Sequence, residues 1–247
     1  MEGPYLSPDD GPRGAHPREH VTAASIDDFT RRQAAANGRI ALVTLAPEVP
    51  GALRLIEHLV ASAIRVAIGH TAATPRQIGD AVAAGATLAT HLGNGCAQLL
   101  PRHPNLIWEL LAADALFASL IADGHHLPPA TLKAMVRAKG ADRTILVTDA
   151  VAAAGCPPGR YALGGVESDL DTEGRVSLPG TPYLAGSSLT LDRAIANTAR
   201  FTGLPIDAVI AMASTIPANY VGTTTAGTVT AEWDAGAGAL HVRRVTS

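Results

Sequence analysis

The chain has 247 residues, enough for one α/β barrel, a fold that typically takes about 250. Hydrophobic residues make up 47% of it, charged residues 17% and aromatics 4%, which excludes a disordered chain and fits an enzyme packed with Ala, Val, Leu and Ile. A formal charge of −3 with no Lys/Arg cluster argues against a nucleic-acid or anionic-membrane partner.

Helical and strand-like segments alternate along the chain, each strand a short apolar run. After a Pro/Gly-rich loop over 3–22, the pattern predicts a helix over 26–37, a strand over 40–45, a helix over 51–62 and a strand over 65–69. Pro75 opens the next helix, which ends near Gly85. A strand over 86–92, a helix over 106–113, a strand over 116–122, a helix over 129–139 and a strand over 144–148 follow. Residues 160–178 read instead as two short strands around Asp171, Thr172, Glu173 and Gly174, an inserted hairpin. A long helix resumes at Ser188, and 227–245 reads as two short strands. The expected fold class is α/β, a TIM-like (β/α)8 metal-dependent hydrolase barrel over 1–222. A tail over 223–247 would be the remnant of a small β-sandwich. Five barrel strands are counted between Ile40 and Thr148, so the barrel is expected to be incomplete at its N-terminus.

No apolar run reaches the roughly 18 residues that cross a bilayer, and Met1 is followed by Glu2, Gly3 and Pro4 rather than by a basic and then apolar leader. A cytoplasmic location is expected. Two cysteines, Cys96 and Cys156, have no paired spacing and imply neither a disulfide framework nor a structural zinc site.

The rare polar residues fall at the ends of the predicted strands. His70 follows 66–69, His91 follows 88–90, Asp123 and His126 follow 120–122, and Asp149 follows 145–148. In a parallel barrel the C-terminal strand ends form the rim where active sites assemble. Two histidines and a carboxylate make a common hydrolytic metal set, and Glu2 is the natural carboxylate if Met1 ends a strand. Asp149 could move a proton between water and a leaving amine, or could simply cap the segment after it. Each histidine alone could be a structural one. His20, His58, His103 and His241 read as solvated or capping residues, and His16 is left open.

Taken in order, these residues also carry a resemblance. Glu2-Gly3-Pro4 with Arg13-Gly14-Ala15-His16, Leu45-Ala46-Pro47-Glu48, Gly69-His70-Thr71, Thr90-His91-Leu92 with Asn94, Ala122-Asp123-Gly124 with His126, Thr148-Asp149-Ala150 and Gly186-Ser187-Ser188 together resemble the motifs of the N-acetylglucosamine-6-phosphate deacetylases, members of the amidohydrolase superfamily. The resemblance implies one divalent metal ion, Zn before Fe, Co or Mn, held by Glu2, His70 and His91. It implies Asp149 as general base and then acid, and His126 at the acetamide carbonyl. Asn94, Gly95 and Arg102 would serve the sugar phosphate, Arg102 often across a homodimer interface. It also implies a small-molecule amino-sugar phosphate as substrate. Gly93, Asn94, Gly95 and Cys96 stand where the family usually has an aromatic residue, Asn, Ala and Met, which loosens the substrate assignment. Family members have a β-sandwich portion and two barrel strands before the Glu2 motif, and both are expected to be missing here. Two alternatives stay open: an amidohydrolase acting on another N-acyl sugar, and an inactive fragment of such an enzyme.

Overall fold

The protein is described from a computed structural model that covers residues 1–181, 183–224 and 226–246. The chain divides into two compact units, Met1–Ala118 and Ser119–Ser247, the division falling inside one strand.

The first unit is built on parallel strands β1 (Leu42–Leu45), β2 (Arg65–Ile68), β3 (Leu88–Ala89) and the start of β4 (Phe117–Ile121), hydrogen-bonded in that order. Their inner residues, among them Val43, Leu45, Val66, Ile68 and Ala89, are buried, as expected of strands covered on both faces. Each connecting helix has a local reason to start. Helix α1 (Ile26–Ala35) is capped by the Ser25 hydroxyl, which accepts from the Asp28 amide, and Asp27 and Asp28 sit in its positive first turn. Helix α2 (Ala52–Ala61) buries Leu55, Ile56 and Leu59 against the sheet. Helix α3 (Pro75–Ala83) opens with a capping box between Thr74 and Gln77 and with Pro75 in its first turn. Helix α4 (Leu106–Ala112) is capped by Asn105.

Register places the strand ends level with one another. Leu45 pairs with Ile68, Ile68 with Ala89, and Ala89 with Ala118. His70 and His91 each lie two residues beyond a paired position, so they emerge at the same height. Met1–Gly3 extends this arrangement on the outer edge of β1: the Thr44 amide donates to the Met1 carbonyl, the Gly3 amide donates to the Thr44 carbonyl, and Glu2 bridges Thr44 in parallel. The sheet also curves. The Thr44 and Thr90 hydroxyls meet at 2.8 Å across the end of β2, although flat strands two apart are separated by about 9–10 Å. A Cβ at Gly69 would lie 2.8 Å from the Thr90 Cβ and 2.9 Å from the Thr44 Cγ2, so glycine is what lets those two side chains close over β2.

The second unit contains the end of β4, helix α5 (Pro129–Lys139) and β5 (Thr144–Val147), which lies next to β4. An antiparallel meander follows, β6 (Gly159–Leu163), β7 (Val166–Leu170) and β8 (Val176–Ser177). Helices α6 (Leu191–Thr202), α7 (Ile206–Ala213) and α8 (Thr215–Val221) lead to a two-stranded hairpin of β9 (Thr228–Asp234) and β10 (Ala239–Thr246).

Several elements differ from the sequence expectation. The strand expected over 86–92 is only Leu88–Ala89, because Thr90–Asn94 turns back and the Asn94 amide closes onto the His91 carbonyl. The insertion has three strands rather than two: Asp171–Gly174 does form a turn, but Gly164-Gly165 makes a hairpin before it. The helix expected from Ser188 begins at Leu191, since Ser187 is engaged as a β-bridge to Ala150. Helices α7 and α8 were not anticipated; Pro205 and Ser214 mark their starts.

Candidate metal centre and active-site residues

Strand register and the Met1–Gly3 edge bring Glu2, His70 and His91 to one point, with their ligand atoms all within 4.8 Å of one another. The His70 Nε2 lies 3.0 Å from Glu2 Oε1 and 3.0 Å from His91 Nε2, and His91 Nε2 lies 3.7 Å from Glu2 Oε2. Both imidazoles are buried, and the Glu2 side chain is one-third exposed.

Tautomer follows from the partners. His70 Nδ1 sits 3.0 Å from the Pro12 carbonyl oxygen. A carbonyl only accepts, so Nδ1 carries the proton and donates, and the neutral ring keeps its lone pair on Nε2, where a cation would take it. Fixing a ring through the nitrogen that faces away from the site is how metal-binding histidines are commonly oriented. Two nitrogens each about 2.0–2.1 Å from a tetrahedral zinc stand about 3.3 Å apart, close to the separation found here. The donor set and its spacing therefore fit a divalent cation.

The electrostatics agree. Burial opposes ionisation of Glu2, but the imidazoles of His16, His70 and His91 gathered on its carboxylate outweigh it and hold the carboxyl far below the usual range. Burial pushes the His70 imidazole down, against the pull of Glu2, which favours the neutral, ligating form.

The site is also strained at its backbone. Among the described residues only five non-glycines have positive φ, and two of them are His70 at 50° and His91 at 30°. Holding a non-glycine there costs on the order of 1–2 kcal/mol each, and such strain gathers at functional sites.

Packing around His70 depends on two loops that have no side chain to spare. A Cβ on Gly14 would stand 3.0 Å from His70 Cε1, and one on Gly95 would stand 3.0 Å from Nδ1. Gly95 is therefore in contact with the ligand histidine, and its carbonyl accepts from the Thr71 amide. Asn94 sits in the turn after His91, its side-chain amide donating to the His91 carbonyl at 3.2 Å. Arg102 is exposed in the loop before α4 and makes no ion pair among the described residues.

In the second unit, His126 Nδ1 lies 2.6 Å from the Asp123 carboxylate, with both side chains buried. Asp149 follows β5, its side chain exposed and its carbonyl accepting from the Ser187 amide.

Two participants were not assigned from the sequence. His16 Nε2 lies 3.1 Å from Glu2 Oε1, and its ring stands edge-on to His70 with centroids 4.6 Å apart. The Gly14-Ala15-His16 motif was the only signal for it. Glu48 accepts from the Thr71 hydroxyl at 2.5 Å and from the Ala72 amide at 2.6 Å, so it ties down the loop that leaves His70.

The chain is similar to several known proteins. No protein-family model matches the chain. An N-acetylgalactosamine-6-phosphate deacetylase from Escherichia coli O157:H7 is 38% identical over 222 residues, covering 90% of this chain and 58% of that protein. An N-acetylglucosamine-6-phosphate deacetylase from Lysinibacillus sphaericus is 35% identical over 237 residues, 96% of this chain and 60% of its own length. The crystal structure of N-acetyl-D-glucosamine-6-phosphate deacetylase from Mycobacterium smegmatis superposes with a TM-score of 0.90 at 32% identity, over 99% of this chain and 66% of that one. A variant of the same enzyme, in complex with N-acetyl-D-glucosamine-6-phosphate, gives a TM-score of 0.89. The chain thus spans about three-fifths of the length of these curated relatives. By sequence and by backbone it belongs to the N-acetylglucosamine-6-phosphate deacetylase family.

Proposed function

We propose that this chain carries the metal site and the proton-transfer residue of a deacetylase that hydrolyses the acetamide of N-acetylglucosamine 6-phosphate to glucosamine 6-phosphate and acetate. The observation that carries the reading is the convergence of Glu2, His70 and His91, with the His70 lone pair turned inward by Pro12. Glu2, His70 and His91 would hold one divalent cation; zinc suits the two nitrogens and the carboxylate, and iron, cobalt or manganese suits them too. When bound, that cation supplies Lewis acidity, which polarises a carbonyl and acidifies a water.

The remaining steps belong to side chains. Asp149 takes the proton of the water as it adds to the acetamide carbon, and returns it to nitrogen as the C–N bond breaks, leaving acetate and the free amine. His126 meets the carbonyl oxygen through Nε2. Arg102, with a fork suited to two phosphate oxygens, and the Asn94-Gly95 turn take the sugar-phosphate end. The same reading assigns 1–222 to a (β/α)8 barrel and 223–247 to a small β-domain, and puts Arg102 at a homodimer interface in the cytoplasm.

A second substrate, N-acetylgalactosamine 6-phosphate, is favoured by the relative that bears that name and by the glycine-rich loop over 93–96. Acetate release from both sugar phosphates and from their unphosphorylated forms tests the assignment. Turnover that requires phosphate and weakens in Arg102→Ala is expected. Equal turnover without phosphate would remove Arg102 from the site, and no acetate from any of the four would end the deacetylase reading.

A further inference from the structure

Asp123 lies two residues beyond strand β4, and His126 stands three residues later, before helix α5. Both oxygens of the Asp123 carboxylate are engaged. Oδ1 accepts from the backbone amides of His125 and His126, each at 2.8 Å, and Oδ2 lies 2.6 Å from His126 Nδ1. The side chains of His126 and Asp123 are only 6% and 8% exposed. Two amides on one oxygen prevent the carboxylate from turning, so the other oxygen is held against the ring. A carboxylate that accepts backbone bonds stays ionised and can only accept from its third partner. Burial works against that charge, yet the bonds from His126 and His125 hold the carboxyl below its ordinary range.

We propose that Asp123 is a positioning residue that fixes His126 as its Nδ1–H tautomer and thereby makes Nε2 the atom this ring offers to a substrate. A histidine free in water favours the opposite tautomer, so the buried carboxylate has a measurable consequence. Asp123 also caps the loop through its two backbone bonds, and the two roles separate chemically. In Asp123→Asn the amide oxygen can still accept both backbone N–H groups. Its NH2 then faces the ring, so Nδ1 must become the acceptor and the proton moves to Nε2. A wrong tautomer behind an intact geometry is severe in an imidazole that handles protons, about 10⁴-fold for the aspartate of the serine-protease triad.

The effect on turnover rests on the proposed function, whereas the tautomer does not. Nitrogen-15 NMR of the histidine side chains in the full chain, with His126 assigned by its loss in His126→Gln, reads the ring directly. The Nδ1–H form is expected in the wild type and the Nε2–H form in Asp123→Asn. Acetate release should fall by about 10²-fold or more in kcat in that variant, with KM within about threefold and bound metal unchanged. A wild-type ring in the Nε2–H form, a tautomer unchanged in Asp123→Asn, or an unchanged kcat would each overturn the proposal. If Asp123→Asn does not fold, the wild-type spectrum still decides the question. If the wild type releases no acetate, the deacetylase reading fails and the ring's tautomer still decides Asp123.

Discussion

The imidazole of His70 donates through Nδ1 to the carbonyl oxygen of Pro12 at 3.0 Å, and this bond determines which nitrogen faces Glu2. A loop carbonyl 58 residues earlier in the chain thus sets the lone pair of a ligand that follows strand β2. The bond is protected by glycines, because the loop can approach the ring only where no Cβ intervenes.

Gly14→Ala tests that protection. The new methyl would crowd His70 Cε1 and Nδ1 at 3.0 and 3.2 Å, tilting the ring away from Pro12. Loss of an outer partner of a ligand typically costs 10–100-fold in metal affinity, and a zinc titration against a chromophoric chelator should show a loss of about that size. Gly79→Ala is the control. Nothing lies within 4 Å of that position in α3, so the substitution should stabilise the fold by about 0.5–1 kcal/mol and leave metal binding alone.

Stability should fall with acid in two stages in protein stripped of metal. His70 has a folded pKa below its unfolded value of about 6.5, so the unfolded state binds more protons as pH drops, and stability declines from about pH 6.5 downward. Glu2 and Asp123 have depressed carboxyl pKa values, so their contribution is complete above about pH 4–5 and is lost below it. Thermal melts from pH 8 to pH 3 should show a plateau, a shallow decline and then a steeper one. His70→Asn should abolish the shallow decline; a decline that persists there would place its origin elsewhere.

Asp149→Asn should leave metal content unchanged while acetate release falls by about 10²-fold or more, the range of a lost general base. Retention of full turnover by the variant would exclude Asp149 from the proton transfers.

Much of this was legible in the sequence because strands buried on both faces make any polar residue at their ends conspicuous. His70, His91 and Asp149 stood out in that way, and the parallel register of β1, β2 and β3 does bring His70 and His91 level. Glu2 was legible only conditionally, since its place depends on Met1–Gly3 pairing with β1. The Pro12 contact and the Glu48 clamp were not legible: both are contacts between loops distant in sequence, made by a backbone carbonyl and by a side chain with no periodic signature. Helices α7 and α8 were missed because short apolar segments such as Ile206–Ala213 carry little periodicity. The shortness of β3 was hidden because 86–92 contains no Gly or Pro to mark the turn that the backbone makes at Thr90–Asn94.

The most direct test is acetate release from N-acetylglucosamine 6-phosphate by the 247-residue chain, measured with zinc loaded, after chelation, and after zinc is restored. The account predicts one zinc per chain, turnover that disappears on chelation and returns with the metal, and loss of both binding and turnover in a His70→Ala, His91→Ala double variant. Acetate release that survives in the double variant without bound metal would contradict it.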